Sequence, residues 1–175
     1  MDVVLVLHGS KSPDYLASAS SFSKRTGLRY VFVEDLKAQS GEAVYVPVFV
    51  AGGADYRRAS EMSGSSIPPL ARWPGFADYL RGLRADVYVF HGGDPEAEAD
   101  VEALGLPYVY LEGKPHITSR GCVGRAAPVV LARGVIYNRI AEAYRGCPTE
   151  LLPPLFEQEG FADYFLGALR GLIKA

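Results

Sequence analysis

The sequence predicts an α/β fold of two similar lobes with mostly parallel sheets, related by internal duplication. Three observations carry this. Short β-branched runs alternate with helix-like segments, as in β-α-β units. The first run, "VVLVL" at residues 3–7, is apolar throughout, as in a strand buried on both faces. Four segments of the first half then recur in the second in the same order, the signature of a tandem repeat.

The recurring segments are collinear. "VLVLHGS" (4–10) matches "VYVFHGG" (87–93), with His8 over His91 at a shift of 83. "YVFVE" (30–34) matches "YVYLE" (108–112), with Glu34 over Glu112 at a shift of 78. "PVFVAGGADYRRASE" (47–61) matches "PVVLARGVIYNRIAE" (128–142) at a shift of 81. "IPPLARWPGFADY" (67–79) matches "LPPLFEQEGFADY" (152–164) at a shift of 85. Small loop insertions explain the drift. The lobes are assigned to residues 1–85 and 86–175.

Each half has the same predicted order. The opening strand (3–7; 87–91) leads to a helix at 14–26 and at 95–105. The latter has Asp94 as N-cap, Pro95 in its first turn and Gly105 at its end. A second strand is expected at 29–34 and 107–112, and a third at 44–51 and 127–132. Next come a helix (54–63; 135–146), an extended "IPPL" or "LPPL", and a last helix from near Gly75 or Gly160. The link from Asp35 to Ala43 is short for a parallel crossover. It holds one helical turn, or the strand ends lie a few residues away.

Composition bounds the function. A hydrophobic fraction of 49% over 175 residues supplies a core, and a net charge of −2 gives no global basic field for nucleic acid. No apolar run approaches the ~18 residues of a membrane span, and no basic, cleavable leader opens the chain. Cys122 and Cys147 are expected to be free or structural thiols of a cytoplasmic protein, since two cysteines make no disulfide framework and neither lies in a CxxC pair. No G-x-G-x-x-G or G-x-x-x-x-G-K-[ST] occurs, so no nucleotide is expected. "LVLHGS" and "VFHGG" also suit the oxyanion loop of an α/β-hydrolase, but no G-x-S-x-G elbow accompanies them.

In open parallel sheets, sites form beyond the carboxyl ends of the strands. His8, Glu34 and the stretch after Val50 fall at such ends, as do His91, Glu112 and the stretch after Ala132. Two lobes about a pseudo-dyad would face these ends across one cleft holding two imidazoles and two carboxylates. Such groups ligate metals and accept protons near neutral pH. The plainer alternatives are a histidine that bonds a loop, glutamates at helix starts or on the surface, and a solvated face for Arg57 and Arg58. His116 is expected to be solvated. The aromatic residues near 76–79 and 161–164 are expected in helix cores.

The ordered segments "VVLVLHGSKSP", "RYVFVED" and "VYVPVFVAGGADYRRA" resemble the sirohydrochlorin chelatases of the class II chelatase group. The likeness covers most of residues 3–80 and reaches the second half through the repeat. It implies a bilobal chelatase-like α/β fold, here as a fused pair working as monomer or homodimer. It also implies insertion of cobalt, nickel or iron, the metal being a substrate, into an acidic tetrapyrrole without nucleotide. His8 matches the family's first metal-binding histidine, Asp55 falls where the second is expected, and Ile136 is the repeat equivalent of Asp55. The implied metal set is His8, His91 and Asp55, with His8, Glu34 and Asp55 as catalytic groups. Ser10, Lys11, Gly53, Arg57, Arg58 and Glu112 are the expected substrate contacts, the basic residues meeting peripheral carboxylates and the glycines admitting a flat ligand. A non-catalytic binder of metal or tetrapyrrole is the alternative, and a hydrolase a more distant one.

Overall fold

A computed structural model describes residues 1–36 and 42–174. Strand β1 (Val3–Leu7) is central in a sheet of order β2-β1-β3, with β2 at Arg29–Phe32 and β3 at Val44–Pro47. In the second sheet β4 (Val87–Gly92) lies between β5 (Tyr108–Glu112) and β6 (Arg125–Pro128), and β7 (Glu150–Leu151) extends the edge. Every pairing between these strands is parallel. The predicted α/β class with parallel sheets is therefore what the chain adopts; the first three strands of each half pair in the same order, and β7 has no counterpart in the first half.

The helices are α1 (Pro13–Thr26), α2 (Ala54–Ser63), α3 (Phe76–Gly82), α4 (Pro95–Ala103), α5 (Val135–Ala143) and α6 (Phe161–Lys174). Their ends are set by local chemistry. The Ser12 hydroxyl accepts from the Tyr15 N–H at 3.4 Å, and Gly27 closes α1 in the left-handed conformation. The Asp94 carboxylate accepts from the N–H groups of Glu96 and Ala97 at 2.8 and 3.2 Å, the N-cap that the sequence suggests. Strands 2, 3 and 6 end earlier than expected. After β2 the chain enters a 3₁₀ turn, Val33–Asp35, so Glu34 sits in that turn and not on a strand end. The end of the second strand thus lies two residues before the one expected, the other alternative for the short link. Residues 37–41 of that link lie outside the described residues.

Burial divides the strands' two faces among three apolar clusters. Val4, Val6 and Tyr45 pack with Ala59 of α2 on one outer face. Val87, Val89 and Ala126 pack with Ile140 and Tyr144 on the other. The central cluster is shared: Leu5, Leu7, Phe22 and Trp73 of the first half join Tyr88, Phe90, Phe156, Phe161 and Phe165 of the second. Phe22 of α1 stacks on Phe156 with ring centroids 4.3 Å apart and meets Phe165 edge-on at 5.1 Å. Helix α1 thus packs against the end of the opposite half, and α4 packs against the Leu70–Arg72 turn of the first. The halves exchange their first helices, and the core lies between the sheets.

Cys122 and Cys147 form a disulfide, with Cα atoms 5.5 Å apart. This departs from the expectation of free thiols. The cause is the pairing of β6 with β7. Glu150 N–H donates to the Gly124 carbonyl at 2.9 Å and Thr149 Oγ1 to the Val123 carbonyl at 2.6 Å, bringing together cysteines 25 residues apart. Among the described residues, no helix is long and apolar enough to cross a membrane.

Candidate functional site

A cavity of about 670 Å³ opens beyond the carboxyl ends of both sheets, with walls from both halves. The first half supplies His8-Gly9-Ser10 after β1 and Phe49–Tyr56 after β3. The second supplies His91-Gly92-Gly93-Asp94 after β4, Glu112 at the end of β5, and Val129–Ile136 after β6. His8 and His91, from equivalent strand ends, therefore line one shared space. Ser10, Gly53, Asp55 and Glu112 join them there. Its floor is apolar, with Val50, Phe90, Val101 and Val129 among the lining. Helices α1, α2, α4 and α5 all begin at this cavity, and helix starts carry partial positive charge.

The remaining expected residues stand elsewhere. Lys11, Arg57 and Arg58 are exposed and outside the cavity lining, and Arg57 is ion-paired with Glu96. Glu34 is likewise outside the lining, its carboxylate lying directly against Gly9. His116 is exposed and its Nδ1 lies 2.8 Å from Thr118 Oγ1. Phe76 and Phe161 are fully buried, and Tyr79 stacks on Tyr164 at 5.2 Å, so these aromatic residues are core.

The two histidines differ in their surroundings. His91 Nε2 lies 3.3 Å from Glu112 Oε2, and Arg139 donates to Glu112 Oε1 at 2.8 Å. The Arg139 guanidinium, and then His91, hold the Glu112 carboxyl below its ordinary value. His8 is fixed through its backbone: the Tyr15 hydroxyl donates to the His8 carbonyl at 2.7 Å. Burial, helped by the charge of Glu34, pushes the Tyr15 phenol up to about 12, so it stays a donor at neutral pH. Among the described residues, no three His, Cys, Asp or Glu side chains converge into a ready metal-holding group.

Tyr15, Asp94, Arg133 and Arg139 belong to the site or its support and were not anticipated in those roles. Arg133 lines the cavity, and its Nε donates to both Glu157 oxygens at 2.9 Å. Its guanidinium lies 5.1 Å from the Tyr137 ring centroid. The repeat offers one signal for it: at a shift of 81, Arg133 stands over Gly52 at the end of the third strand. Tyr15 falls in the first turn after an N-cap, next to a strand end. Nothing in the sequence singles out Arg139, whose partner is 27 residues distant.

These features define a parallel-sheet α/β protein with a two-walled, partly apolar cleft carrying an imidazole on each wall. Comparison with protein-family models, with curated proteins and with solved structures finds no match.

Proposed function

We propose that this cleft binds a tetrapyrrole and promotes insertion of a divalent metal ion, cobalt, nickel or iron, into sirohydrochlorin or a related macrocycle without nucleotide. The observation that carries the reading is that His8 of the first half and His91 of the second line one cavity. Insertion replaces two pyrrole N–H protons by the metal ion. It calls for a loosely held metal, two proton acceptors and a wide cleft for a flat ligand. Two imidazoles with Asp55 and Glu112 on the lining supply acceptors and donor atoms of the right kind. The volume lies within the ~300–1,000 Å³ of small-molecule sites, and the apolar floor suits a macrocycle. One chain supplies both histidines, so the reading needs no second copy.

The test is anaerobic mixing with sirohydrochlorin and cobalt(II) or nickel(II), followed by absorption spectroscopy. Insertion faster than the protein-free control, slowed at least tenfold by His8→Ala, is expected. A rate equal to the control overturns the catalytic reading. A non-catalytic binder is the second reading, favoured by the lack of a converged three-ligand group among the described residues. It predicts saturable binding of tetrapyrrole without acceleration.

A cytoplasmic setting goes with this proposal. Disulfides are uncommon in reducing compartments, so the state of the Cys122–Cys147 pair in the cell bears on this setting. Mass shifts after alkylation in freshly lysed cells test it: an alkylated pair fits a reducing compartment, and an unmodified pair argues for an oxidising one.

A further inference from the structure

We propose that the Cys122–Cys147 bond is a redox-sensitive clamp that keeps Arg139 on Glu112, and through Glu112 holds the His91 side of the cleft in place. Arg139 is on this account a positioning residue. The inference goes beyond the metal-insertion reading and does not depend on what the cleft binds.

The bond joins the two segments that carry the ion pair. Glu112 ends β5, and the chain then runs through the 3₁₀ turn Ile117–Arg120 to Cys122. Arg139 lies on α5, and the chain leaves that helix through Tyr144 to Cys147. Ile117 joins Ile140 and Tyr144 in the outer apolar cluster of the second half, and Cys147 packs against that cluster. Arg139 donates to Glu112 Oε1 at 2.8 Å, and Glu112 Oε2 lies 3.3 Å from His91 Nε2. Glu112 and His91 line the cavity, as do Val135 and Ile136 at the start of α5. Both side chains of the Arg139–Glu112 pair are 46% exposed. An ion pair so open to water holds its partners poorly on its own. Its geometry is set by the backbone on either side, and that backbone is what the disulfide ties together.

The first half provides an internal comparison. At a shift of 81 Arg58 of α2 is the counterpart of Arg139, and Glu34 is that of Glu112. The chain's two cysteines both lie in the second half. Among the described residues, Arg58 and Glu34 form no ion pair. Glu34 stands outside the cavity lining, against Gly9. The charge pair is formed in the half that has the bond and not in the half that lacks it.

Cys122 is exposed and Cys147 half-buried, so an incoming thiolate reaches the Cys122 sulfur. A dithiol, small or of the Cys-x-x-Cys protein class, supplies the electrons. Its first thiolate bonds to Cys122 Sγ as the Cys122–Cys147 bond breaks, and Cys147 leaves as a thiolate that takes up a proton. Its second thiolate then displaces Cys122, which is protonated in turn, and the dithiol ends as its own disulfide.

Histidine-ring NMR on the whole chain, at one pH, before and after dithiothreitol, tests this. Reduction is expected to shift the His91 ring resonances beyond their linewidth and to leave those of His8 in place. Arg139→Gln displaces the His91 resonances in the oxidised protein, and reduction of that variant moves them no further. The double variant Cys122→Ser, Cys147→Ser gives the His91 resonances of the reduced protein and does not respond to dithiothreitol. His91 resonances that stay put on reduction overturn the inference. So does a further shift on reducing Arg139→Gln, because the bond then acts on His91 by another route. Loss of the whole folded spectrum on reduction also overturns it, since the bond is then a brace for the entire chain.

Discussion

The Gly52 N–H donates to Asp100 Oδ2 at 2.7 Å, joining the strand-end loop of the first half to the helix of the second. The equivalent bond in the other direction is Arg133 N–H to Ser18 Oγ at 3.2 Å. Arg72 reinforces the first, donating to Asp100 at 2.8 and 3.1 Å. The Asp100 side chain is only 12% exposed. Asp100→Ala leaves the buried Gly52 N–H without its acceptor and Arg72 with only Glu96 as partner. A loss of about 2 kcal/mol is expected from denaturant unfolding. Asp78→Ala, which breaks an i,i+3 pair to Arg81 at an 84% exposed aspartate, should change stability by less than about 0.5 kcal/mol. Equal effects would show that the cross-half bond contributes nothing beyond a surface pair.

Gly9 and Gly92 occupy equivalent positions in the two copies of the motif but differ in what a methyl group would meet. At Gly9 it would overlap the Glu34 carboxylate, the far end of an exposed side chain that can swing away. At Gly92, where φ is +77°, it would overlap the Glu112 carbonyl oxygen, which is backbone. Gly9→Ala is therefore expected to cost under about 1 kcal/mol, and Gly92→Ala about 3 kcal/mol or more, from strain plus overlap. Thermal melts of the two variants decide this; a Gly92→Ala melt matching that of Gly9→Ala would contradict it.

The elements were largely legible because their signals are local. Apolar runs gave the strands of the first sheet, and Asp94-Pro95 gave the start of α4. What joins the elements was not legible. Phe22 announces a buried helix face, but not that its partner is Phe156, 134 positions away by residue number (156 − 22). Arg57 offers a free cation in the sequence, and only the packing of α4 supplies Glu96 to bind it. The cysteine pairing depends on β7, a two-residue strand too short to leave a pattern. Of the site, the shared cavity and its two histidines followed from the repeat. The basic residues did not: Glu96 takes Arg57, and Lys11 and Arg58 stand exposed outside the lining.

Glu112 gives a pH dependence with a definite sign. Its carboxyl lies below its ordinary value of 4.5, chiefly through Arg139. The stabilisation is fully present above about pH 4.5 and is lost as pH falls through the lower folded value. Arg139→Gln should therefore melt below the unsubstituted protein at pH 7, and the gap should narrow as pH falls below about 4.5. A gap that stays constant would assign the effect of Arg139 to packing.

The disulfide closes a loop between residues 25 apart. Chain-entropy reasoning gives about 3 kcal/mol for a closure of this length. Cys147→Ala should lower unfolding stability by that amount in denaturant titrations without reductant. A reducing agent should lower the unsubstituted protein to the same level and leave the variant unchanged. A difference under about 1 kcal/mol would place the bond's contribution elsewhere.

The exchange of α1 and α4 has a consequence for divisibility. Each half keeps its own outer apolar layer, yet the central layer is owned jointly. A backbone cut in the link between α3 and β4 would produce two fragments, each with an aromatic face that the other completes. Neither piece should hold its shape alone, and mixed together they should find one another.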